Sequence, residues 1–546
     1  RGFALHQLEA SYDYTKNKSR NYSINQQTQM QNDLDTLYMR SLWGNVHEEK
    51  WAASLSLCRW LLTNRNHDYS FNADFSFNKY NNTNSQQDRL LYRQQGGSNL
   101  IEQRNYGLPT FNYKYYANAS HSKNIYKKSF RFYTCSHLEY KQELNSGHQD
   151  LHRSEDDWLA PSATEISWMI DEANSYHTTR MERSIDFEQN LSVAYKNFGI
   201  DFFGEYNVYF RRIRDLRANK TQEKKTSNNF INNPTVSLSW SKGKQNINLR
   251  GSIRKELPEL TYLLDVTDTS NPLFRNEGNP LLKPTNRYRV EANYQYQERS
   301  DYMRFAKLNF GYSEWENSVS YARFYNRTNG ITTMRPMNIS GTWQTWAKAD
   351  YSGLMGKMKS WNISNSFKFN LMHNLDYATD DMNEMPSKSA VDNINVSNNM
   401  RIDYRVKEMR VGAKVDVFWT KQKSIQKRFA DNSFTQFNYG ITVSTPIFWN
   451  INFATDIMAY YKRGYNDASM NTTNWVWNAE ISRPFGKKKQ WIIKAVGFDI
   501  LHKIPNVSRS VNAQGWTESR YNTKPSYAML TITYRLDIKP KQLSKK

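Results

Sequence analysis

The chain has 546 residues, of which 38% are hydrophobic and 14% aromatic, and its mean hydropathy is −0.86. Its formal charge of +22 admits nucleic acid, an anionic lipid or lipopolysaccharide surface, acidic ligands in a basic lumen, or simply a well-solvated surface. Nucleic acid is set aside, because the basic residues are scattered over strand ends and loops ("YFRRIRDLR", "FGKKKQ", "QKRFA") and no RNP-like, zinc-finger or helix-turn-helix pattern occurs. No apolar run reaches the roughly 18 residues of a spanning helix, which excludes a helical membrane protein and leaves a β membrane protein open.

The chain starts "RGFALHQLEASYDY", inside an apparent strand and without a charged n-region, apolar h-region or cleavage site. Any secretory signal is therefore expected to have been removed or to lie upstream. Cys58 and Cys135 fall in different candidate strands without metal-ligand spacing and read as unpaired small hydrophobes. No Gly/Ser/Pro-rich linker divides the chain, so one domain over 1–536 is expected, followed by a basic periplasmic tail at 537–546.

The first long connection, 143–177, contains "SGHQDLHRSEDDW". His148 and His152, with Asp150, Glu155, Asp156 and Asp157, would ligate a metal if that loop were helical, but a solvated polar loop is the plainer reading. "DDWLAPSATEISWMIDEA" would form a short helix over a barrel mouth, making Trp158, Trp168 and Met169 candidate ligand or partner contacts; packing within the loop is an equal alternative. In a later loop, "DYATDDMNEM", Asp376, Asp380, Asp381 and Glu384 have the oxygen density for calcium without EF-hand spacing, so solvated charge is the plainer reading.

Period-two patterning dominates the rest. Trp361, Ile363, Phe367, Phe369 and Leu371 oppose Asn362, Ser364, Ser366, Lys368 and Asn370. Val411, Ala413, Val415, Val417 and Trp419 oppose Gly412, Lys414, Asp416 and Thr420. The same holds for Phe437, Tyr439, Ile441 and Val443, and again for Trp475, Trp477, Ala479 and Ile481. Strands of about ten residues with one apolar face, a small or charged opposite face and Trp or Tyr at their ends predict a transmembrane antiparallel barrel. A soluble sandwich or propeller is the alternative, with shorter strands.

Connections alternate in length. Working back from the end, 502–525 is long, 484–489 short, 462–473 long, 445–449 short, 421–433 long, 407–410 short and 373–391 long. The alternation continues through a short connection near 353–359, a long hairpin at 317–340, short "QERSD", long 255–286, short "SKGKQ", long 214–232, short "KNFG" and long 143–177. The predicted fold is therefore an all-β, up-and-down barrel of about 20–22 strands with long outer loops and short periplasmic turns. Its first strand ascends and its last descends.

The connection 255–286 ends in "NEGNPLLKP", where Gly278 permits a turn and Pro280 and Pro284 refuse ladder hydrogen bonds before a strand descends from Arg287. The run Pro258, Leu260, Asp265, Asn271, Pro272, Gly278, Asn279, Pro280, Leu282, Lys283 and Pro284 resembles a stretch of TonB-dependent receptor barrels, especially the outer-membrane β-barrel family related to polymer- and peptide-uptake receptors. "MRPMNISGTW" at 334–343 is similar to that family's outer hairpin. Gly497, Phe498, Asp499 and Leu501, followed by Tyr527, Leu530, Thr531, Tyr534 and Arg535, look like its closing strands. On the last of these, Leu530, Ile532, Tyr534 and Leu536 form a lipid-facing stripe. Thr285 stands where the family commonly has an acidic residue, His502 where it often has Asn, and Leu536 where a final aromatic is usual; no plug or energy-coupling box is found in the sequence.

The resemblance implies an outer-membrane receptor that binds a scarce ligand (peptide, glycan or metal chelate) through its loops and lumen and admits it when the TonB machinery acts on a plug. No cofactor chemistry and no enzyme activity are implied, and none of the common hydrolase, metalloprotease or kinase motifs occurs. The implied partners are outer-membrane lipid and lipopolysaccharide, TonB if a plug lies upstream, and a surface lipoprotein or other outer-membrane subunits. The competing expectation is a non-transporting barrel serving as a structural or docking subunit of a larger outer-membrane assembly.

Overall fold

A computed structural model of the chain describes residues 3–28, 36–64, 67–92, 100–153, 169–218, 220–271, 274–298, 303–326, 331–356, 358–379, 386–424, 431–464, 471–486, 490–503, 507–512, 515–520 and 526–535. Period-two sequence zips into antiparallel ladders, beginning with four long strands, β1 (Phe3–Thr28), β2 (Thr36–Asn64), β3 (His67–Tyr92) and β4 (Leu100–Lys127), and then β5 (Phe130–Gln149). Two short pieces, β6 (His152–Arg153) and β7 (Met169–Ile170), pair with each other beyond the main sheet. The main sheet resumes with β8 (Tyr176–Tyr195), β9 (Phe198–Arg217), β10 (Lys220–Lys242) and β11 (Gln245–Glu256).

A connection carrying one 3-10 turn (Leu260–Leu263), β12 (Thr267–Asn271) and β13 (Phe274–Glu277) leads to β14 (Thr285–Gln297) and β15 (Phe305–Glu316). The hairpin β16 (Ser318–Tyr325) and β17 (Thr332–Ile339) precedes β18 (Thr342–Met355), β19 (Trp361–Thr379), β20 (Ser387–Val406), β21 (Met409–Ser424), β22 (Asn432–Pro446), β23 (Asn452–Arg463), β24 (Thr473–Phe485) and β25 (Trp491–Phe498). A second hairpin, β26 (Val507–Asn512) and β27 (Gly515–Arg520), stands before the last strand, β28 (Tyr527–Tyr534).

Of the 24 strands in the one large sheet, β12, β13, β16 and β17 belong to connections, which leaves an up-and-down antiparallel wall of 20 strands. This is the predicted architecture, within the expected strand number. Among the described residues β1 pairs with β2 and β28 with β25. No helix among the described residues is long and apolar enough to cross a membrane.

Side-chain alternation stays in register from strand to strand. One row runs Val193, Ile200, Leu238, Leu249, Ala292, Phe310, Ala347, Phe369, Val396 and Trp419 across ten consecutive wall strands. The adjacent row on the other face runs Ser192, Asp201, Ser237, Arg250, Glu291, Gly311, Trp346, Asn370, Asn395 and Thr420. A one-residue slip anywhere would invert every later strand.

The apolar face is open: Phe71, Phe187, Phe202, Leu249, Val290, Phe310, Ile441, Ile481 and Trp491 are all exposed. The polar face is cross-linked by amides, hydroxyls and ion pairs, as in Asn72 to Asn118 (3.1 Å), Asn309 to Asn293 (2.6 Å), Ser366 to Asp350 (2.7 Å), Asn478 to Asp456 (2.9 Å) and Lys494 to Glu480 (2.8 Å).

Tight turns close one end of the wall. The connections β4–β5, β8–β9 and β20–β21 take two residues each, led by Lys128, Lys196 and Lys407 in the left-handed region (φ 51, 53 and 51°), the backbone that two-residue hairpins demand. The expected alternation of short and long connections holds except at β9–β10, where the outer connection is also two residues long, led by Ala218 (φ 43°). β1 starts and β28 ends at this short-turn end.

The long connections differ from expectation in substance. The segment 214–232, read as loop, is ladder: β9 and β10 stay paired out to Arg217 and Lys220, stapled by Arg212 to Glu223 (2.5 Å). Likewise β19 and β20 remain paired to Ala378 and Ser387. These wall strands are about twice the expected ten residues and continue as ribbons beyond the apolar belt, where β9 buries Arg211, Ile213 and Asp215 on one side and exposes Arg212, Arg214 and Leu216 on the other.

Candidate ligand-binding mouth

At the long-connection end, the segment between β11 and β14 turns onto the polar face and brings with it a cluster of buried apolar side chains. Leu260, Leu263 and Leu264 pack with Leu282 against Ile213 of β9, flanked by Tyr262, Val266 and Val319. Burying these side chains contributes on the order of 2 kcal/mol each, enough to hold a short segment that contains little regular structure of its own.

"NEGNPLLKP" organises this cap. A methyl group on Gly278 would overlap the carbonyl oxygen of Leu264. Glycine is therefore required for close backbone approach, and not for a left-handed turn as its sequence context suggested. The Gly278 N–H donates to the Val266 carbonyl (3.0 Å) and the Asn279 N–H to that of Tyr262 (2.6 Å). The Asn279 side chain donates to the Pro336 carbonyl (2.8 Å) and accepts from the Leu281 N–H (3.0 Å). Lys283 is paired at both backbone groups with the amide of Asn338 (2.8 and 3.0 Å), which also donates to the Asn317 carbonyl (2.8 Å).

Strand additions extend the same assembly. β13 pairs in parallel with β17, and β16 in parallel with the outer end of β19. On the other flank, buried Asn174 donates to Thr269 Oγ1 (2.9 Å) and accepts from its N–H (2.8 Å), tying the turn before β8 to β12. The guanidinium of Arg211 donates to the Pro258 carbonyl (2.9 Å), and Arg180 pairs with Glu259 (2.9 Å). Three outer connections thus form one hydrogen-bonded cap standing on the polar face.

Asn338→Ala removes the partners of three backbone groups at once, and the two on Lys283 are worth about 2 kcal/mol at roughly 1 kcal/mol each after water competes. The Lys283 amide is expected to exchange with solvent about 30-fold faster in that variant, read by hydrogen–deuterium exchange of the purified protein. An unchanged rate would show that the cap does not depend on this amide.

The predicted site residues distribute as follows. Asn271, Gly278, Asn279, Pro280, Lys283 and Pro284 lie in the cap or at its edge, Asn271 closing β12 against Phe274; Pro272 is outside the described residues. Asp376 lies within β19, where it accepts from Ser320 Oγ and the Tyr377 N–H; Asp380, Asp381 and Glu384 are outside the described residues. Met169 is exposed on β7, while Trp158, Trp168 and the segment expected to be helical are outside them too.

His148 is on a strand, not a helix. Its register partner is His177, and its Nε2 lies 3.1 Å from Asp150 Oδ2, so His152 is not its neighbour at helical spacing. Among the described residues no group of three or more His, Cys, Asp or Glu side chains is arranged to hold a metal ion. Cys135 is a free thiol. Leu530, Ile532 and Tyr534 are exposed along β28, and Leu536 is outside the described residues.

Sequence reasoning missed Asn174 and Asn338, which bond across connections distant in sequence. It also missed the side chains on the wall beneath the cap. There, Arg287 and Arg289 of β14 lie over Trp315 and Trp346, with guanidinium to ring-centre distances of 5.4 and 4.8 Å. The alternation that places all four on one face was readable; their convergence was not.

No protein-family model and no curated protein sequence matches the chain. Among solved structures it is similar to the siderophore receptor PiuA of Acinetobacter baumannii, at 8% identity and a TM-score of 0.49, covering 98% of this chain and 79% of that one. It is also similar to the ferric citrate transporter FecA in its unliganded form (10% identity, TM-score 0.45, 98% and 78% covered) and to the ferric-catecholate import receptor Fiu of E. coli K12 (9%, 0.45, 96% and 81%).

Proposed function

We propose that this chain is the barrel of an outer-membrane receptor of the TonB-dependent type, which captures a solute at its outer mouth for energised uptake. The observation that carries this reading is the two-faced wall capped on its polar side. An apolar belt far larger than the few hundred Å² that a soluble monomer exposes requires lipid or a partner to cover it, and an antiparallel sheet with alternating faces spans a bilayer when closed. The cap adds a rigid, polar and aromatic surface at the end where long connections gather, suited to recognising a ligand by shape and hydrogen bonding.

The test is made in cells. Fractionation is expected to place the protein in the outer membrane, and deletion of its gene to abolish uptake of one solute from a radiolabelled panel of ferric chelates, peptides and glycans. Uptake of the same solute should stop when the proton-motive force is collapsed. Correct localisation with no uptake defect, together with stoichiometric recovery alongside other outer-membrane proteins, would instead identify a structural subunit. Sustained large conductance in planar bilayers would identify an open pore.

A further inference from the structure

We propose that the polar wall beneath the cap carries an oxyanion site centred on Arg287 and Arg289, which takes a solute bearing carboxylate or phosphate groups. This inference rests on the receptor reading and gives its ligand a chemical class. The site is built across four neighbouring strands. Arg254 of β11 is the register partner of Arg287, which faces Trp315 of β15; Ser252 is that of Arg289, which faces Ser313, and Ser313 in turn faces Gln344 of β18. One row further down, Arg250 faces Glu291.

Four guanidiniums therefore share this patch with two carboxylates, and both carboxylates are engaged: Glu291 accepts from Arg289, and Glu256 lies 3.3 Å from Arg254. Arg287 has no ion-pair partner among the described residues. Its Nε, the Nε of Arg289 and the Oγ of Ser313 are all buried without a hydrogen-bond partner, and Ser313 is fully buried. Three orphaned polar atoms in adjacent register positions form a concentrated deficit, since each costs about 1–3 kcal/mol when left unpaired.

The aromatic groups hold the arginines. A side chain on Gly311 would overlap the Trp346 ring, so glycine there opens a slot in which the indole lies against β15, fixed by its Nε1–H donating to Asn309 Oδ1 (2.8 Å). The ring face is presented to Arg289 and the Trp315 ring to Arg287. Stacking fixes each guanidinium plane before binding and leaves its N–H edges for a planar, bidentate acceptor. Carboxylate and phosphate both fit that geometry.

The experiment uses the full chain purified in neutral detergent, with inorganic pyrophosphate and tricarballylate as separate calorimetric titrants at low ionic strength. Tighter binding of pyrophosphate assigns a phosphate ligand, and tighter binding of tricarballylate a carboxylate one; either supports the site. Arg287→Gln is expected to weaken the preferred anion by about tenfold or more, as loss of a charge-assisted hydrogen bond does. Lys307→Gln removes a cation from the same polar face about 27 Å along β15 and is expected to leave binding unchanged.

The proposal is overturned if the native chain binds neither anion, if Arg287→Gln binds as tightly as native, or if Lys307→Gln weakens binding equally. The outcome separates cleanly from that of the receptor reading. Anion binding without any uptake phenotype leaves this site standing and removes the transport function, and an uptake phenotype without anion binding does the reverse.

Discussion

Replacing Gly278 with alanine is expected to release the cap from the wall while leaving the wall intact. The added methyl group overlaps a backbone carbonyl, that of Leu264, and lies close to a second, that of Tyr262 (3.3 Å). Neither is the movable end of a side chain, so the two segments must separate until carbon and oxygen reach ordinary contact. That movement breaks the hydrogen bonds from Gly278 to Val266 and from Asn279 to Tyr262 and draws Leu264 out of the core around Ile213. Overpacking of this kind costs about 3 kcal/mol, which exceeds what a single exposed loop contact supplies. Amides of residues 262–283 are expected to exchange on the order of 100-fold faster, with the β18–β25 ladders unchanged. Unchanged exchange in the cap would show that the backbone can absorb the methyl group and that glycine is dispensable there.

The wall was legible because lipid or solvent on one face and a polar interior on the other impose a period of two that no turn interrupts. The row from Val193 to Trp419 is that period read sideways. The same physics explains what was not legible. Beyond the apolar belt the β9–β10 extension around Arg212 and Glu223 still alternates, with Arg211, Ile213 and Asp215 buried and Arg212 and Arg214 exposed, but the face buried under the cap is itself mostly charged, so the stretch reads as loop although its backbone ladder persists. Gly278 was recognisable as special, but spacing does not distinguish a glycine needed for a turn from one needed for close approach. His148 and His152 suggested a helical pair only because nothing local reveals that β5 continues to Gln149. Asn174, Asn338 and the Arg289–Trp346 stack are tertiary facts: each joins positions that only the sheet's register and its folded connections bring together.

The receptor reading gives the cap's stability a functional consequence, because a recognition surface at a mouth must be preorganised to bind without first paying the entropy of ordering its loops. The core that supplies this rigidity is small, and a single side chain is expected to decide it. Leu260 is fully buried at its centre, among Ile213, Leu263, Leu264 and Leu282. Truncation to alanine removes about 2–5 kcal/mol, and Leu260→Asp adds an unpaired carboxylate in the same place, for a loss above about 4 kcal/mol. The aspartate is expected to leave the cap open at equilibrium: limited proteolysis should then cut within 257–284, a segment expected to resist cleavage in the native chain. Leu281 provides the control, being 83% exposed although it adjoins buried Leu282; Leu281→Asp is expected to change stability by no more than about 0.5 kcal/mol. Equal protease resistance in the two aspartate variants would mean that hydrogen bonds from Asn174, Asn279 and Asn338 hold the cap without its core. Cleavage confined to Leu260→Asp would mean that apolar burial does so, with the asparagines setting only where the cap docks.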